Sequence, residues 1–217
     1  MRKLVVNTFV TLDGVMQAPG GPEEDPTGGF TEGGWSVNYW DDAMGEAMGE
    51  FMGKPFDLVL GRGTYEIFAA HWPHSDDPGA DALNNATKHV ASTTLDRVDW
   101  QNSHLIEGDV PAGIRKLKEE DGPELQVHGS AGLIQTLLDE GLVDRFNVWI
   151  FPVLIGKGKR LFGDGTVPSG LKLTGSTTSS SGVIITSYEP AGEIKKGSFA
   201  HEEPTEDELE RRERLAG

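Results

Sequence analysis

The sequence predicts an α/β protein with a mixed, mostly parallel central sheet flanked by helices and a C-terminal antiparallel hairpin. Up to residue 155, short apolar runs alternate with amphipathic segments, which is the pattern of a parallel sheet covered on both faces. Two further β-rich segments, 171–179 and 182–190, are separated by a short Ser-rich turn, which favours a hairpin at one edge of the sheet. We therefore expect one domain over residues 1–190, followed by an acidic extension over residues 191–217.

The spacing of apolar residues places the individual elements. Strands are predicted where apolar and β-branched residues cluster, at 3–12, 56–60, 88–93, 103–108, 124–129 and 144–155. Helices are predicted where apolar residues recur every three or four positions, at 44–52, 65–72, 111–120 and 133–141. In the last of these helices, Ser130 is expected to cap the first turn and Gly141 to end the helix.

Two segments carry no strand pattern. Residues 16–38 are rich in Gly and Pro, and a loop of this length inside a compact domain is usually functional or mobile. The extension 191–217 has a capping box at Thr205 and Glu208, so it is expected to be helical or partly disordered. Its `HEEP` at 201–204 resembles half of a zinc-deaminase motif, but the required Cys pair is missing, so we reject that interpretation.

Composition excludes several classes of function. The 217 residues hold 19 Lys and Arg against 35 Asp and Glu, a net charge of −16 that repels nucleic acids and anionic lipids. There are no cysteines, and no apolar run approaches transmembrane length, so we expect a cytoplasmic protein without nucleic-acid or membrane partners. The Pro-flanked His71, His74, Asp76 and Asp77 are interpreted as a solvated loop, and no metal site is predicted.

Three predicted strand ends carry residues suited to a phosphorylated ligand. Ligands of open α/β sheets bind outside the carboxyl ends of the strands. The three segments there are Gly61-Arg62-Gly63-Thr64, Ser92-Thr93-Thr94 and Gly129-Ser130-Ala131. They offer backbone N–H groups, hydroxyls and one guanidinium that can bind phosphate bidentately. The turn at 129–131 could equally serve tight packing, and only the repetition at successive strand ends favours a dinucleotide site.

The order of the motifs resembles the dihydrofolate reductase-like superfamily. Within it, the chain is similar to the C-terminal reductase domain of the riboflavin-biosynthesis deaminase-reductases, in a stand-alone form. The matching segments extend over about residues 2–189: `TLDGVM`, `GGW`, `LGRGTYE`, `ASTTL`, `VHGSAGLIQTLLDEGLVD` and `FNVWIFPVLIGKGKRLF`. The deaminase half of the bifunctional enzymes has no counterpart here.

The resemblance implies an NADPH-dependent reductase acting on a small molecule, a phosphoribosylamino-pyrimidine such as 5-amino-6-(5-phosphoribosylamino)uracil or a pterin. It implies that Asp13 lies beside the nicotinamide and Trp35 over the substrate, with Asp13 the first candidate for the proton donor, followed by Asp41, Asp42 or water. It also implies a homodimer, which the apolar run 144–155 favours. The residues expected to hold the coenzyme are Gly61, Arg62, Thr64, Ser92, Thr93, Gly129, Ser130 and Ala131.

Two departures from the family pattern and two other functions stay open at this point. Ser130 stands where relatives often have a second Gly, and Thr93 stands where a basic residue is common, so NADH is not excluded as the coenzyme. One alternative is a non-catalytic module that binds a nucleotide or a partner on the same fold. A flavodoxin-type protein is less compatible, because it needs a phosphate loop directly after the first strand, where Asp13 has the wrong charge.

Overall fold

A single eight-stranded sheet forms the centre of the computed structural model, which describes residues 1–199 and 203–216. Along the sheet the strand order is β4-β3-β2-β5-β1-β6-β8-β7. Every neighbouring pair from β4 to β6 is parallel, whereas β8 pairs antiparallel with both β6 and β7. This confirms the predicted mixed sheet with its closing hairpin. The strands are β1 (Leu4–Thr11), β2 (Phe56–Gly61), β3 (Lys88–Ala91), β4 (Ser103–Leu105), β5 (Glu124–Val127), β6 (Arg145–Phe151), β7 (Leu171–Thr178) and β8 (Ile184–Pro190).

The described residues also form six α-helices, four of which coincide with predicted helices of the domain. The six are α1 (Asp42–Met52), α2 (Arg62–His71), α3 (Ala80–Asn85), α4 (Val110–Glu119), α5 (Ala131–Asp139) and α6 (Glu206–Ala216). Helix α3 was not predicted, because its six residues are too few to display a helical period. In the acidic extension, α6 begins one residue after Thr205, while His201 and Glu202 of the `HEEP` segment lie outside the described residues. The division at residue 190 stays a prediction.

Both faces of the sheet are covered by apolar contacts. On one face, side chains of β1 and β5 pack against Ile114 of α4 and Ile134 of α5. The opposite face carries two separate clusters. One contains Leu60 and Tyr65, near α2, and the other contains Met44 and Trp149, near α1. A ligand can therefore reach this face of the sheet through the space between α1 and α2.

The strand predicted at 144–155 is shorter in the structure. Strand β6 ends at Phe151, and Pro152 follows, which has no N–H group to continue the ladder. The apolar character of this run reflects its position inside the sheet, between β1 and β8, where Phe146, Val148 and Phe151 are buried. The run therefore does not support the predicted homodimer.

The expected cap of α5 by Ser130 is wrong. Ser130 precedes the helix, but its backbone has a φ of +70°, and its side chain accepts no hydrogen bond from the first turn. Instead, the Ser130 hydroxyl donates to Oγ1 of Thr64 at 2.6 Å. The left-handed backbone turns the side chain away from the helix and toward α2. At the other end of α5, Gly141 follows with a φ of +60°, as expected for a glycine that ends a helix.

Candidate functional site

The carboxyl ends of three adjacent strands, β3, β2 and β5, border one cleft of about 2130 Å³. The cleft lies between α1 and α2 and is roofed in part by the loop 16–25. All of the residues predicted to hold a coenzyme line it, although they come from three separate segments of the chain: Gly61, Arg62, Thr64, Ser92, Thr93, Gly129, Ser130 and Ala131. Parallel pairing produces this convergence, because it brings the ends of these strands to the same edge of the sheet.

Two glycines allow the strand ends to approach each other closely. A Cβ atom on Gly61 would lie 2.6 Å from Oγ and 2.8 Å from Cβ of Ser130, so no larger residue fits without displacing the start of α5. Gly129 has a φ of +110°, a conformation that glycine adopts readily and other residues rarely do. The hydrogen bond between Ser130 and Thr64 then fixes the start of α5 against the first turn of α2.

Two of the helices that begin at the cleft, α2 and α5, lack a side-chain cap. Within residues 1–199 and 203–216, no side chain accepts a hydrogen bond from the first turn of α2 or of α5. The first N–H groups of an α-helix have no partner within the helix, and together with the helix dipole they favour an anion. Two such helix starts meeting at Gly61 and Ser130 therefore make this end of the cleft suited to phosphate groups.

Arg62 connects the ends of β2 and β3. Its Nε donates to Glu66 at 2.8 Å, its Nη1 donates to the Thr94 hydroxyl at 2.8 Å, and its side chain is half exposed. The Ser92 hydroxyl accepts hydrogen bonds from the N–H groups of Thr94 and Leu95, which holds this turn in place. An exposed ion pair such as Arg62–Glu66 contributes about 0.3–0.5 kcal/mol, so a phosphate can compete for the guanidinium.

The two predicted catalytic residues lie apart from this set. Asp13 accepts hydrogen bonds from the Thr11 hydroxyl at 2.6 Å and from the N–H groups of Ile155 and Gly156, so its carboxylate fastens the loop after β6. The bond from Thr11 is the largest cause that lowers the pKa of Asp13, which makes it a poor proton donor at neutral pH. Neither Asp13 nor Trp35 is among the residues that line the cleft.

Trp35 serves as an anchor for the long loop. Its indole N–H donates to the carbonyl oxygen of Gln17 at 2.8 Å, and its ring packs edge-on against Phe151. The tryptophan of this loop that lines the cleft is Trp40, which is half exposed and stacks on Trp149 at 6.0 Å. Sequence reasoning missed Trp40, although the `GGWSVNYW` segment contains both tryptophans.

The other predicted candidates for the proton donor also have structural roles, or lie outside the cleft lining. Asp41 caps α1 by accepting from Met44 N–H and also accepts from the Ser180 hydroxyl at 2.7 Å. Its pKa falls to about 2, chiefly because of the bond from Ser180. By contrast, Glu24 in the loop over the cleft has a raised pKa, because burial outweighs the hydrogen bonds it accepts from Gly20 and Gly21. Sequence reasoning did not select Glu24, which in the sequence is one carboxylate of an acidic loop.

His128 is a partly buried, neutral histidine of the cleft. It follows β5 directly and lines the cleft, and its Nε2 lies 2.8 Å from Oε1 of Gln126. Burial lowers the pKa of His128 to about 4, against an ordinary value of about 6.5. The folded state therefore excludes a proton that the unfolded chain takes up in mildly acidic solution.

This shift predicts an acid-sensitive fold. Above about pH 6.5, His128 is neutral in both the folded and the unfolded chain and costs no stability. As the pH falls toward 4, the free energy of unfolding decreases by about 3 kcal/mol in total, because only the unfolded chain takes up the proton. Urea unfolding at pH 7 and pH 4.5 measures it. The variant His128→Gln should lose less stability between these values, whereas His74→Gln, at an exposed histidine, should behave like the wild type. Equal loss in all three proteins would contradict the assignment.

Comparison with known proteins shows to which family this chain belongs. The family model described as RibD C-terminal domain matches residues 2–185. The chain belongs to the RibD C-terminal domain family. The uncharacterized protein YyaP of Bacillus subtilis is 29% identical over 196 residues, which cover 86% of this chain and 94% of YyaP.

Solved structures agree with membership of the RibD C-terminal domain family at the level of the fold. A putative riboflavin biosynthesis protein from Shewanella superposes with a TM-score of 0.63 at 21% identity, covering 87% of this chain and 99% of that one. Dihydrofolate reductase from Enterococcus faecalis, in complex with NADP(H), superposes with a TM-score of 0.55 at 13% identity, covering 87% and 96%. The fold is therefore a reductase-type fold of the dihydrofolate reductase class.

Among the described residues, no helix is long and apolar enough to cross a membrane.

Proposed function

We propose that the protein is an NADPH-dependent reductase that transfers hydride to a small-molecule substrate in the cleft. The observation that carries this proposal is the convergence of Arg62 and two uncapped helix starts, at Gly61 and Ser130, on one cleft. The family and its dihydrofolate reductase-like neighbours support the same class of reaction.

The donors along the strand ends fit an elongated, anionic coenzyme. In this proposal, the N–H groups at the start of α5 hold the pyrophosphate, since no side chain of the described part of the protein binds them. Arg62 and Ser92, at the neighbouring ends of β2 and β3, hold the phosphate on the adenosine ribose. The preference for NADPH over NADH then depends on Arg62, because Thr93 adds a hydroxyl and no charge.

In this proposal, the hydride transfer takes place in the part of the cleft that is lined by aromatic side chains. When bound, the coenzyme supplies a hydride to an electrophilic substrate carbon, whose neighbouring heteroatom takes up a proton. Trp40, Trp149 and Phe9 line this part of the cleft and reduce the access of water. We assign the role of proton donor to Glu24, which lines the cleft from the loop 16–25, and whose burial raises its pKa so that it stays protonated to a higher pH than an exposed glutamate. Replacing Glu24 with Gln should slow turnover and leave NADPH affinity unchanged, and unchanged turnover would contradict this role.

Titration of the purified protein with NADPH tests the function directly. Trp40 and Trp149 line the cleft, so energy transfer to the dihydronicotinamide should quench tryptophan fluorescence in a saturable manner. NADH should bind more weakly, because it lacks the phosphate assigned to Arg62. Without saturable binding of either coenzyme, the alternative of a non-catalytic module would replace the reductase.

We also propose a homodimer that forms through β7 at the edge of the sheet. All eight residues of β7 are exposed, including Leu171 and Leu173, and an uncovered edge strand is a ready site for pairing. Light scattering should give about twice the chain mass of 23.5 kDa, and Leu173→Glu should reduce it to one chain. A wild-type mass of one chain would contradict the dimer, and a dimer unaffected by this variant would place its interface elsewhere.

A further inference from the structure

A row of polar side chains crosses the sheet beneath the aromatic part of the cleft. Asn147 of β6 donates from Nδ2 to Oδ1 of Asn7 at 2.7 Å, and Ser187 of β8 donates to Oδ1 of Asn147 at 2.8 Å. These residues pair in register across β1, β6 and β8, so their side chains lie on the same face of the sheet. The hydrogen bond from Asn147 orients the Asn7 amide, so that its carbonyl oxygen has a partner and its NH₂ group takes no part in the row.

The NH₂ group of Asn7 lacks a partner in the described part of the chain. Its Nδ2 atom is buried, and Asn7 is one of the residues that line the cleft. A buried donor without an acceptor is costly, and nearly all buried polar groups of folded proteins are satisfied. A ligand atom that accepts a hydrogen bond would remove this cost.

The surroundings of Asn7 select for a flat and apolar ring. Phe9 is the next residue on the same face of β1, its ring lies 5.1 Å from that of Trp149, and Trp40 stacks on Trp149. Aromatic side chains favour flat rings through stacking and edge contacts. A ring bound here can place a carbonyl oxygen against the amide of Asn7.

Charge in the loop over the cleft disfavours phosphate. The loop over the cleft contributes Glu23, Glu24 and Asp25, whereas the only lysine among the described lining residues, Lys159, is bound to Asp25 at 2.6 Å. Arg62 belongs to the coenzyme end of the cleft. A phosphorylated substrate would therefore meet the Glu23 carboxylate and the Lys159–Asp25 ion pair, which offers it no free cation.

We infer that Asn7 donates a hydrogen bond from Nδ2 to a carbonyl oxygen of a flat, uncharged substrate, and that this end of the cleft discriminates against phosphorylated compounds. This inference rests on the proposed function and specifies its substrate class. It separates this protein from a reductase whose substrate carries a phosphoribosyl group.

A matched pair of ligands tests the discrimination. The probes are 5-amino-6-(5-phosphoribosylamino)uracil and the same compound after removal of its phosphate, each titrated against tryptophan fluorescence without coenzyme. The ring and its carbonyl oxygens are identical in both, so only the phosphate differs. We expect the dephosphorylated compound to bind at least about tenfold more tightly, since phosphate must be desolvated beside carboxylates.

Variants of Asn7 test the hydrogen bond. Asn7→Asp keeps the acceptor for Asn147 and removes the NH₂ group, and Asn7→Ala removes both. Each variant should bind the dephosphorylated compound about tenfold or more weakly than the wild type, with NADPH affinity unchanged. Ser187→Ala interrupts the same row at its far end and is the matched control, since Ser187 does not line the cleft. Thermal unfolding of each variant confirms that it is folded.

The outcomes separate this inference from the proposed function. Tighter or equal binding of the phosphorylated compound would overturn the inference, as would no binding of either compound or an equal loss of affinity in Ser187→Ala. Failure of NADPH to bind would contradict the reductase and leave these titrations valid, because they contain no coenzyme. The inference is supported if the dephosphorylated compound binds more tightly than the phosphorylated one, and if both Asn7 variants lose affinity for it while Ser187→Ala does not.

Discussion

Replacing Gly61 with Ala should destabilise the protein by about 1–3 kcal/mol and weaken NADPH binding. The added methyl group would lie 2.6 Å from Oγ and 2.8 Å from Cβ of Ser130, so the start of α5 must move away from the end of β2. This movement separates the N–H groups of α5 from Arg62. Urea unfolding and an NADPH titration measure the two effects.

Two further variants isolate the cause. Gly63→Ala is the matched control, because a Cβ atom at Gly63 meets no atom of the described residues within 4 Å, and in helix α2 it should stabilise the protein by about 0.5–1 kcal/mol. Adding Ser130→Gly to Gly61→Ala removes the clashing atoms and should restore most of the lost stability. If Gly61→Ala were as stable as Gly63→Ala, the close contact between the two strand ends would be disproved.

Replacing Arg62 with Ala should raise the dissociation constant of NADPH by about 10–150-fold. Loss of a hydrogen-bonded charged partner costs about 1.5–3 kcal/mol, and each 1.4 kcal/mol is a factor of ten. The affinity for NADH should change much less, because NADH lacks the 2′-phosphate. Fluorescence titrations with both coenzymes measure the difference.

Controls for Arg62 come from the same region. Arg62→Lys should restore part of the NADPH affinity, since an ammonium keeps the charge but lacks the bidentate geometry. Arg97→Ala removes an exposed guanidinium that pairs with Asp99 and does not line the cleft, so NADPH affinity should stay at the wild-type value. Equal losses for NADPH and NADH in Arg62→Ala would show that Arg62 does not contact the 2′-phosphate.

The sequence predicted the class and most elements of the fold because the apolar runs are clearly interrupted by polar and glycine-rich segments. It did not predict the order of the strands, since β1 pairs with β5 and β6, which are more than 100 residues away. Parallel pairing alone was sufficient to place the three predicted segments at one edge of the sheet, which is why the segments that begin at Gly61, Ser92 and Gly129 lie together.

The remaining parts of the site depend on backbone conformation and loop path. Ser130 has the residue type of a helix cap, but a positive φ directs its side chain to Thr64. Trp35 and Trp40 stand close together in the sequence, and only the path of the chain determines which of them reaches the cleft. The unpartnered amide of Asn7 depends on a contact with Asn147, 140 residues away, which no local pattern indicates.

The most direct measurement is a crystal structure of the protein with NADPH. The pyrophosphate should lie at the N–H groups of Ala131 and Gly132, and the 2′-phosphate should lie within hydrogen-bonding distance of Arg62 and Ser92. The dihydronicotinamide should point toward Trp40 and Trp149. A coenzyme bound anywhere else, or density for none at saturating NADPH, would contradict a cleft built from the three strand ends to hold it.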